Sequence, residues 1–220
     1  HLPIKAAADN DTRAGGTGLI IGGFQGIIAA ADMGADVINC SWGSRFTSPF
    51  EQDIIDYATI NKGALVVDAA GNNGQDLRFF PAALNRVMAI TGTESNDRRR
   101  STFNYGYYIS ACAPGHNVFG SIYDNSYLAA TGTSMASPVA AGAAAILKSH
   151  FPNFTPAQIK LQLRNTCDDI YNVTGNQFVF IRDKLGKGRI NLHRALTETT
   201  PGVAIQTLSL TDGSDNSFQI

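Results

Sequence analysis

Short, almost uninterrupted apolar segments alternate with longer helical ones, and this alternation constrains the fold more than any other feature. Parallel strands buried on both faces have this appearance, because crossover helices cover both sides of their sheet. We therefore predict an α/β fold with a mostly parallel sheet and helices on both faces. The predicted strands are residues 2–7, 36–40, 64–69, 87–91 and 109–113, and the predicted helices are residues 19–33, 51–62, 134–150 and 155–165.

The composition of the chain limits the kinds of molecule that we expect it to bind. The chain has 220 residues, 44% of them hydrophobic, which is enough for one domain with a sizeable core. A formal net charge of −1 gives no electrostatic signature of nucleic-acid binding. No apolar run approaches the roughly 18 residues of a membrane span. We expect neither a nucleic-acid partner nor a membrane span. The three cysteines lack metal-binding or disulfide spacing, so we predict that Cys40, Cys112 and Cys167 fill the core.

The two ends of the sequence predict that the chain is part of a longer polypeptide. It opens His-Leu-Pro-Ile-Lys, with no initiator methionine and no signal peptide. At the other end, residues 198–201 have the composition of a linker, and Asp212-Gly213 is a hairpin signal. We predict one domain over residues 1–197, followed over residues 198–220 by a linker and the start of a truncated β domain.

Two loops lie where an α/β sheet binds ligands, beyond the carboxyl ends of its strands. One contains Asn72, which fits either a left-handed turn residue or an amide donor to a developing oxyanion. The other contains Ser134 at the start of an Ala-rich helix, where a serine is either an N-cap or a nucleophile at the positive end of the helix dipole. Pro138 favours a helix that starts near Ser137 or is kinked. The residues alone leave these alternatives open.

Three motifs taken together decide between the alternative roles of Asn72 and Ser134. Gly-Thr-Ser-Met-Ala-Ser-Pro at 132–138, Ala-Ala-Gly-Asn-Asn-Gly at 69–74 and Asp-Val-Ile-Asn-Cys-Ser-Trp-Gly-Ser at 36–44 closely resemble the subtilisin-like serine peptidases, or subtilases. The resemblance covers about residues 2–196. It implies a subtilisin-like sheet that is incomplete at the N-terminus, a serine endopeptidase acting on polypeptides by acyl transfer, and a secreted or cell-surface location.

The resemblance also implies roles for individual residues. Ser134 matches the nucleophile, and Asn72 matches the side-chain oxyanion donor, with the Ser134 backbone N–H as the second donor. The remaining matches are substrate-binding. They comprise two walls of the primary pocket, Ser41, Trp42 and Gly43 on one side and Ala69 and Gly71 on the other, and a second strip at Thr17 and Gly18 that would hold the peptide as an added strand. Trp42 is expected to make apolar contact with the substrate.

The departures from the family pattern are as informative as the matches. The D-[ST]-G and H-G-T-H motifs that carry the family's aspartate and histidine are absent. None of the four histidines, His1, His116, His150 and His193, matches the family base. We therefore predict that the chain is inactive alone and that its partner is the missing N-terminal part of the catalytic domain. The family's first strand would then belong between residues 2–7 and 36–40.

Two further positions differ from the pattern. Val139 stands where the family usually has a histidine. Asp68 replaces a small apolar residue, and we predict a satisfied buried carboxylate or a strand-end residue there rather than a catalytic acid.

Two other functions were weighed against this one. A pseudoprotease or scaffold would lack the aspartate and histidine altogether, but the retention of Ser134 and Asn72 argues against it. An α/β-hydrolase would need a G-x-S-x-G elbow, whereas residues 132–136 read Gly-Thr-Ser-Met-Ala. No cofactor is implied, and the resemblance leaves open structural calcium in the complete domain.

Overall fold

The computed structural model describes residues 1–7, 20–122 and 124–198. Thr17, Gly18 and the predicted hairpin around Asp212-Gly213 lie outside the described residues, as does all but the first residue of the predicted linker. Within the described ranges, no helix is long and apolar enough to cross a membrane.

The described elements follow one another in an α/β order. The strands are β1 (Val37–Cys40), β2 (Leu65–Ala69), β3 (Met88–Thr93), β4 (Ala111–Pro114), β5 (Val118–Ser121) and β6 (Tyr127–Ala130). The helices are α1 (Gly23–Asp32), α2 (Pro49–Asp56), α3 (Thr133–His150), α4 (Pro156–Asn165) and α5 (Leu192–Thr197), and a π-helical turn, Tyr57–Asn61, continues α2.

Four parallel strands form the main sheet in the order β1-β2-β3-β4. Every residue of β2 and β3 is buried, which explains why these segments have no polar alternation. Helix α3 contacts all four strands from one face and carries α4 and α5 behind it. Helices α1 and α2 bury Ile27, Ile54 and Ile55 against the other face. The predicted fold class, a mostly parallel sheet covered on both faces, is therefore confirmed.

Local sequence signals account for the starts of two helices. Helix α2 begins after Ser48, whose backbone N–H donates to the Glu51 carboxylate in a capping box. Helix α4 begins the same way at Thr155, which pairs with Gln158. Each helix has a proline at its first position, where the missing N–H is harmless.

Two parts of the fold differ from the sequence-based prediction. Residues 2–7 are not a strand; they make one isolated bridge, from Ala7 to Ile20. In addition, β5 and β6 pair as an antiparallel hairpin that was not predicted. Its turn contains Asp124 and Asn125, both with positive φ, which these residue types tolerate better than most. The hairpin strands are largely exposed even though Tyr127–Ala130 is an apolar run, so they do not belong to the buried parallel sheet that the pattern predicts.

A groove runs along the outer edge of β1. Among the described residues, β2 is the only strand that pairs with β1. Residues 1–4 face β1 across a cavity of about 1280 Å³, which α1 and α3 close on the other sides. Residues 2–7 therefore do not move in to pair with β1, and the backbone groups on this edge remain available to another strand.

Candidate active site

A single buried threonine joins the loop after β2 to the start of α3. Thr133 Oγ1 accepts a hydrogen bond from the Gly71 N–H at 3.0 Å and donates to Asn72 Oδ1 at 3.2 Å. The Thr133 backbone N–H also donates to Asn72 Oδ1, at 2.9 Å. Thr133 is fully buried, so water does not compete for these bonds. The oxygen of the Asn72 amide is thereby engaged, and its NH₂ group is turned away from Thr133.

Asn104 supports the same loop from below. Its Oδ1 accepts from the N–H groups of Asn73 (2.9 Å) and Gln75 (3.3 Å), and its Nδ2 donates to the Ala70 carbonyl (2.8 Å). Gly71 has a φ of 95°, and a Cβ built on it would lie 2.6 Å from Asn104 Nδ2. Glycine is therefore required here both by the left-handed backbone and by the close approach of Asn104.

Two hydrogen-bond donors lie close to each other near Ser134. Neither Asn72 Nδ2 nor the Ser134 backbone N–H makes a hydrogen bond within the described part of the chain. The position that a Cβ on Gly132 would occupy lies 3.5 Å from Asn72 Nδ2 and 3.6 Å from Ser134 N. Because residue 132 is glycine, this space holds no side chain. Two free donors beside the positive end of α3 suit an oxygen that develops negative charge.

Helix α3 places Ser134 inside its first turn. The helix begins at Thr133 and not near Ser137, its N-cap is Gly132, and Pro138 lies within it. The N-cap role considered for Ser134 is therefore wrong. Because proline has no N–H, the Ser134 carbonyl lacks its usual partner four residues on. Ser41 Oγ donates to that carbonyl instead, at 3.0 Å.

Ser41 also holds the Ser134 hydroxyl. Ser134 Oγ donates to the Ser41 carbonyl at 3.4 Å, so the two serines bond to each other in both directions. Asn39 fixes the pair, since its Nδ2 donates to Ser41 Oγ at 3.1 Å. A carbonyl acceptor cannot take a proton from a hydroxyl, and the nucleophile is unactivated in this arrangement.

The four histidines do not supply a base in this structure. All four lie in the described ranges, and none of their ring nitrogens hydrogen-bonds to Ser134. His150 ends α3, at the opposite end of the helix from Ser134.

The two predicted pocket walls leave the sheet side by side. Ser41–Gly43 follow β1 and Ala69–Gly71 follow or end β2, and these strands are paired with Cys40 opposite Asp68. The Trp42 ring packs edge-on against Phe24, with ring centroids 5.3 Å apart, and a Cβ on Gly23 would lie 2.5 Å from it. The indole therefore packs against α1 on one side. Trp42 is only half-buried and also lines the groove beside β1, and its apolar contact with a substrate stays a prediction.

Sequence reasoning missed the two residues that orient the loop. Thr133 was passed over although it lies between Gly132 and Ser134 in the most specific motif, and Asn104 was noticed only as part of a supporting motif. Their contacts join positions at least 29 residues apart, and no local pattern reveals such contacts. Among the described residues, no group of three or more His, Cys, Asp or Glu side chains is placed to hold a metal ion.

A serine hydroxyl beside two free N–H donors, at the carboxyl edge of a parallel sheet, is the arrangement expected of a serine hydrolase. Comparison with known proteins specifies the family. The model of the subtilase family matches residues 5–195. The chain therefore belongs to the subtilase family.

Individual relatives agree with this assignment. The chain is 39% identical over 182 residues to a thermophilic serine proteinase of Bacillus sp. (strain AK1). The aligned region covers 83% of this chain and 43% of that proteinase. It is 35% identical over 172 residues to thermitase of Thermoactinomyces vulgaris, and this alignment covers 78% of the chain and 58% of thermitase. The chain thus spans about half the length of the curated relatives it matches.

Solved structures show the same fold. Fervidolysin from Fervidobacterium pennivorans, described as a keratinolytic enzyme related to subtilisin, superposes with a TM-score of 0.69 and 29% identity. The superposition covers 81% of this chain and 29% of fervidolysin. A protease from Pseudoalteromonas arctica superposes with a TM-score of 0.70 and 29% identity, and the superposition covers 79% of this chain and 57% of that protease.

Asp68 is an unusual feature of the strand beneath this site. It lies within β2 and is fully buried, as predicted. Its Oδ1 accepts from the Ala69 N–H at 2.7 Å, while Oδ2 has no hydrogen-bond partner among the described residues, so the carboxyl is only half satisfied. Burial raises the pKa of Asp68 well above its usual range, because the charged form would lose its hydration. The protonated form of the carboxyl is thus favoured in the folded chain relative to the unfolded one.

The raised pKa predicts that stability falls as pH rises. Above about pH 4 the unfolded chain releases the Asp68 proton while the folded chain keeps it, so the free energy of unfolding declines by up to about 1.4 kcal/mol per pH unit until the folded pKa is reached. Urea unfolding at a series of pH values should show this decline for the wild type, and Asp68→Ala should remove it. Asp53→Ala, at an exposed position on α2, is the control and should keep it. Parallel curves for wild type and Asp68→Ala would contradict the assignment.

Proposed function

We propose that this chain is the part of a subtilisin-type serine endopeptidase that carries the nucleophile, Ser134, and the oxyanion donors. One observation supports this most strongly. Thr133 holds the oxygen of the Asn72 amide, and the position that a Cβ on Gly132 would take lies 3.5 Å from Asn72 Nδ2 and 3.6 Å from Ser134 N. Asn72 is exposed and the Ser134 N–H belongs to the first turn of α3, so both donors can reach a bound substrate oxygen beside the serine hydroxyl.

The proposed chemistry is acyl transfer. Ser134 Oγ attacks the carbonyl carbon of the substrate while its proton passes to a base, and the carbonyl oxygen becomes an oxyanion that accepts from Asn72 Nδ2 and Ser134 N–H. The C–N bond then breaks as the base returns the proton to the departing amine. Water repeats the sequence on the acyl-enzyme and releases the acid. The donors act only once the oxygen carries charge, so they lower the barrier rather than strengthen substrate binding.

The base is the element that this chain does not provide, and the groove beside β1 indicates where it would come from. Asn39, Trp42 and Pro138 line one end of the groove. Asn39 donates to Ser41, which in turn contacts Ser134, so a chain segment at this end would lie next to the nucleophile. We propose that the N-terminal part of the catalytic domain, with the family's aspartate and histidine, occupies this groove and pairs with the free edge of β1.

The substrates in this proposal are polypeptides held in extended form along the strips that follow β1 and β2. A secreted or cell-surface location fits a protease with such substrates and is part of the same proposal. The rival function is a non-catalytic scaffold built on the same fold. It differs in one respect that can be measured, because a scaffold would gain no activity from an N-terminal segment.

We expect the 220-residue chain alone to leave casein intact, because Ser134 has no base. Linked in one polypeptide to an N-terminal segment that carries the D-[ST]-G and H-G-T-H motifs, it should hydrolyse casein. Ser134→Ala in the linked protein should abolish hydrolysis. The release of acid-soluble peptides measures this, with Ser95→Ala, at an exposed turn position outside the groove, as the matched control.

Two outcomes would overturn the proposal. Hydrolysis by the isolated chain that Ser134→Ala abolishes would mean that a base exists among its own residues. A folded, linked protein that binds but never cleaves peptides would support the scaffold.

Replacement of Asn72 tests the oxyanion role separately. In the active protein, Asn72→Ala should lower kcat by about 10²–10³-fold with little change in KM, because the contact forms only in the transition state. This magnitude is the one known for the equivalent donor in subtilisin. Asn73→Ala is the control, since that exposed side chain makes no hydrogen bond among the described residues. A change confined to KM would instead make Asn72 a substrate-binding residue.

A further inference from the structure

Two glycines follow the paired ends of β1 and β2. Cys40 lies opposite Asp68 in the last pair of the two strands, and Gly43 and Gly71 each follow that pair by three residues and approach the same side chain. These residues belong to the two segments that the proposed function uses as walls of the primary pocket. Because neither has a side chain, the space between them is wide enough for a group from elsewhere.

One aromatic ring occupies that space. A Cβ built on Gly43 would lie 2.6 Å from Phe79 Cδ1, and a Cβ built on Gly71 would lie 3.3 Å from the same atom. The ring of Phe79 is therefore inserted between the two walls. It also explains the glycine at residue 43, since any larger residue there would overlap the ring.

Backbone pairing holds Phe79 in place. Its neighbour Phe80 forms a two-way bridge with Ser44, in which each N–H donates to the other carbonyl at 2.8 Å. On the other side, the Phe79 carbonyl accepts from the Ala83 N–H at 2.8 Å. The segment that carries Phe79 is thus attached directly to the strip that forms one wall, and the ring is half-buried.

We infer that Phe79 closes the primary side-chain pocket and restricts the substrates to peptides with a small residue, Gly, Ala or Ser, immediately before the scissile bond. This inference rests on the proposed function and deepens it by naming a substrate class. A large apolar side chain would need the space that the Phe79 ring fills, whereas a methyl or hydroxymethyl group would not. Trp42, the other large ring near the strip, lies against α1 and does not compete for this space.

The test compares two peptides in the linked protein, in which the N-terminal segment is joined to this chain. The probes are succinyl-Ala-Ala-Pro-Ala-p-nitroanilide and the same peptide with Phe before the nitroanilide. We expect kcat/KM of the wild type to favour the Ala peptide by at least about tenfold. Phe79→Ala should raise kcat/KM for the Phe peptide by at least about tenfold relative to kcat/KM for the Ala peptide, so that the preference for Ala narrows or reverses. Phe178→Ala, at an exposed phenylalanine in another segment, is the control and should leave the preference unchanged.

The outcomes separate this inference from the proposed function. A wild-type protein that cleaves the Phe peptide at least as well as the Ala peptide would overturn the inference and leave the protease function intact. A folded protein that cleaves neither peptide would overturn the protease function.

A binding measurement then tests, without catalysis, whether the Phe79 ring fills the pocket. Phe79→Ala should bind the product acid succinyl-Ala-Ala-Pro-Phe at least about tenfold more tightly than the wild type, measured by calorimetry or NMR titration. Equal binding would show that the ring does not fill the pocket.

Discussion

The Thr133 hydroxyl joins the two halves of the site. It lies where the start of α3 meets the loop after β2, and it bonds to Gly71 and Asn72 at once. Burial makes both bonds strong and would make their loss costly, because the Gly71 N–H would have no other partner. The orientation of the Asn72 amide follows from this contact, and so does its distance from Ser134. The site is thus built into the packing of α3 on the sheet rather than into a flexible loop.

A second constraint acts through Pro138. A proline inside a helix normally destabilises it by leaving a carbonyl unpaired. Here the unpaired carbonyl belongs to Ser134 and receives a hydrogen bond from Ser41, at the end of β1. Ser137, one turn along, donates to Asn39 on the same strand at 2.7 Å. The proline therefore ties the helix that carries the nucleophile to the strip that would bind substrate, and both border the groove beside β1.

The sequence predicted the parts of this structure that depend on local patterns. Strands β2–β4 were found because they are almost entirely buried, and β1 because it is a short apolar run. Helix α2 was found from its amphipathic pattern, and α4 because Pro156 suits a first helical turn. The hairpin β5–β6 was missed because its strands are exposed and short. Residues 2–7 were predicted as a strand because they are apolar, but a strand also needs a neighbour, and the described residues provide none there.

Within the site, motif recognition located Ser134 and Asn72 but not what surrounds them. Thr133 and Asn104 act through contacts between distant parts of the chain, which no local pattern encodes. The direction of the Trp42 ring and the insertion of Phe79 depend on packing against α1 and on the bridge from Ser44 to Phe80. Residue type alone does not reveal either contact. Asp68 was correctly predicted to be buried, but its half-satisfied carboxyl follows only from the three-dimensional surroundings.

The central claim is that Ser134 and Asn72 together hold the tetrahedral intermediate of acyl transfer. A crystal structure of the full-length protein soaked with a peptide aldehyde ending in alanine tests it most directly. The account predicts a covalent bond from Ser134 Oγ to the aldehyde carbon, with the resulting oxygen about 2.7–3.1 Å from both Asn72 Nδ2 and the Ser134 backbone N. An adduct whose oxygen faces away from both donors, or an aldehyde bound without a bond to Ser134, would contradict it.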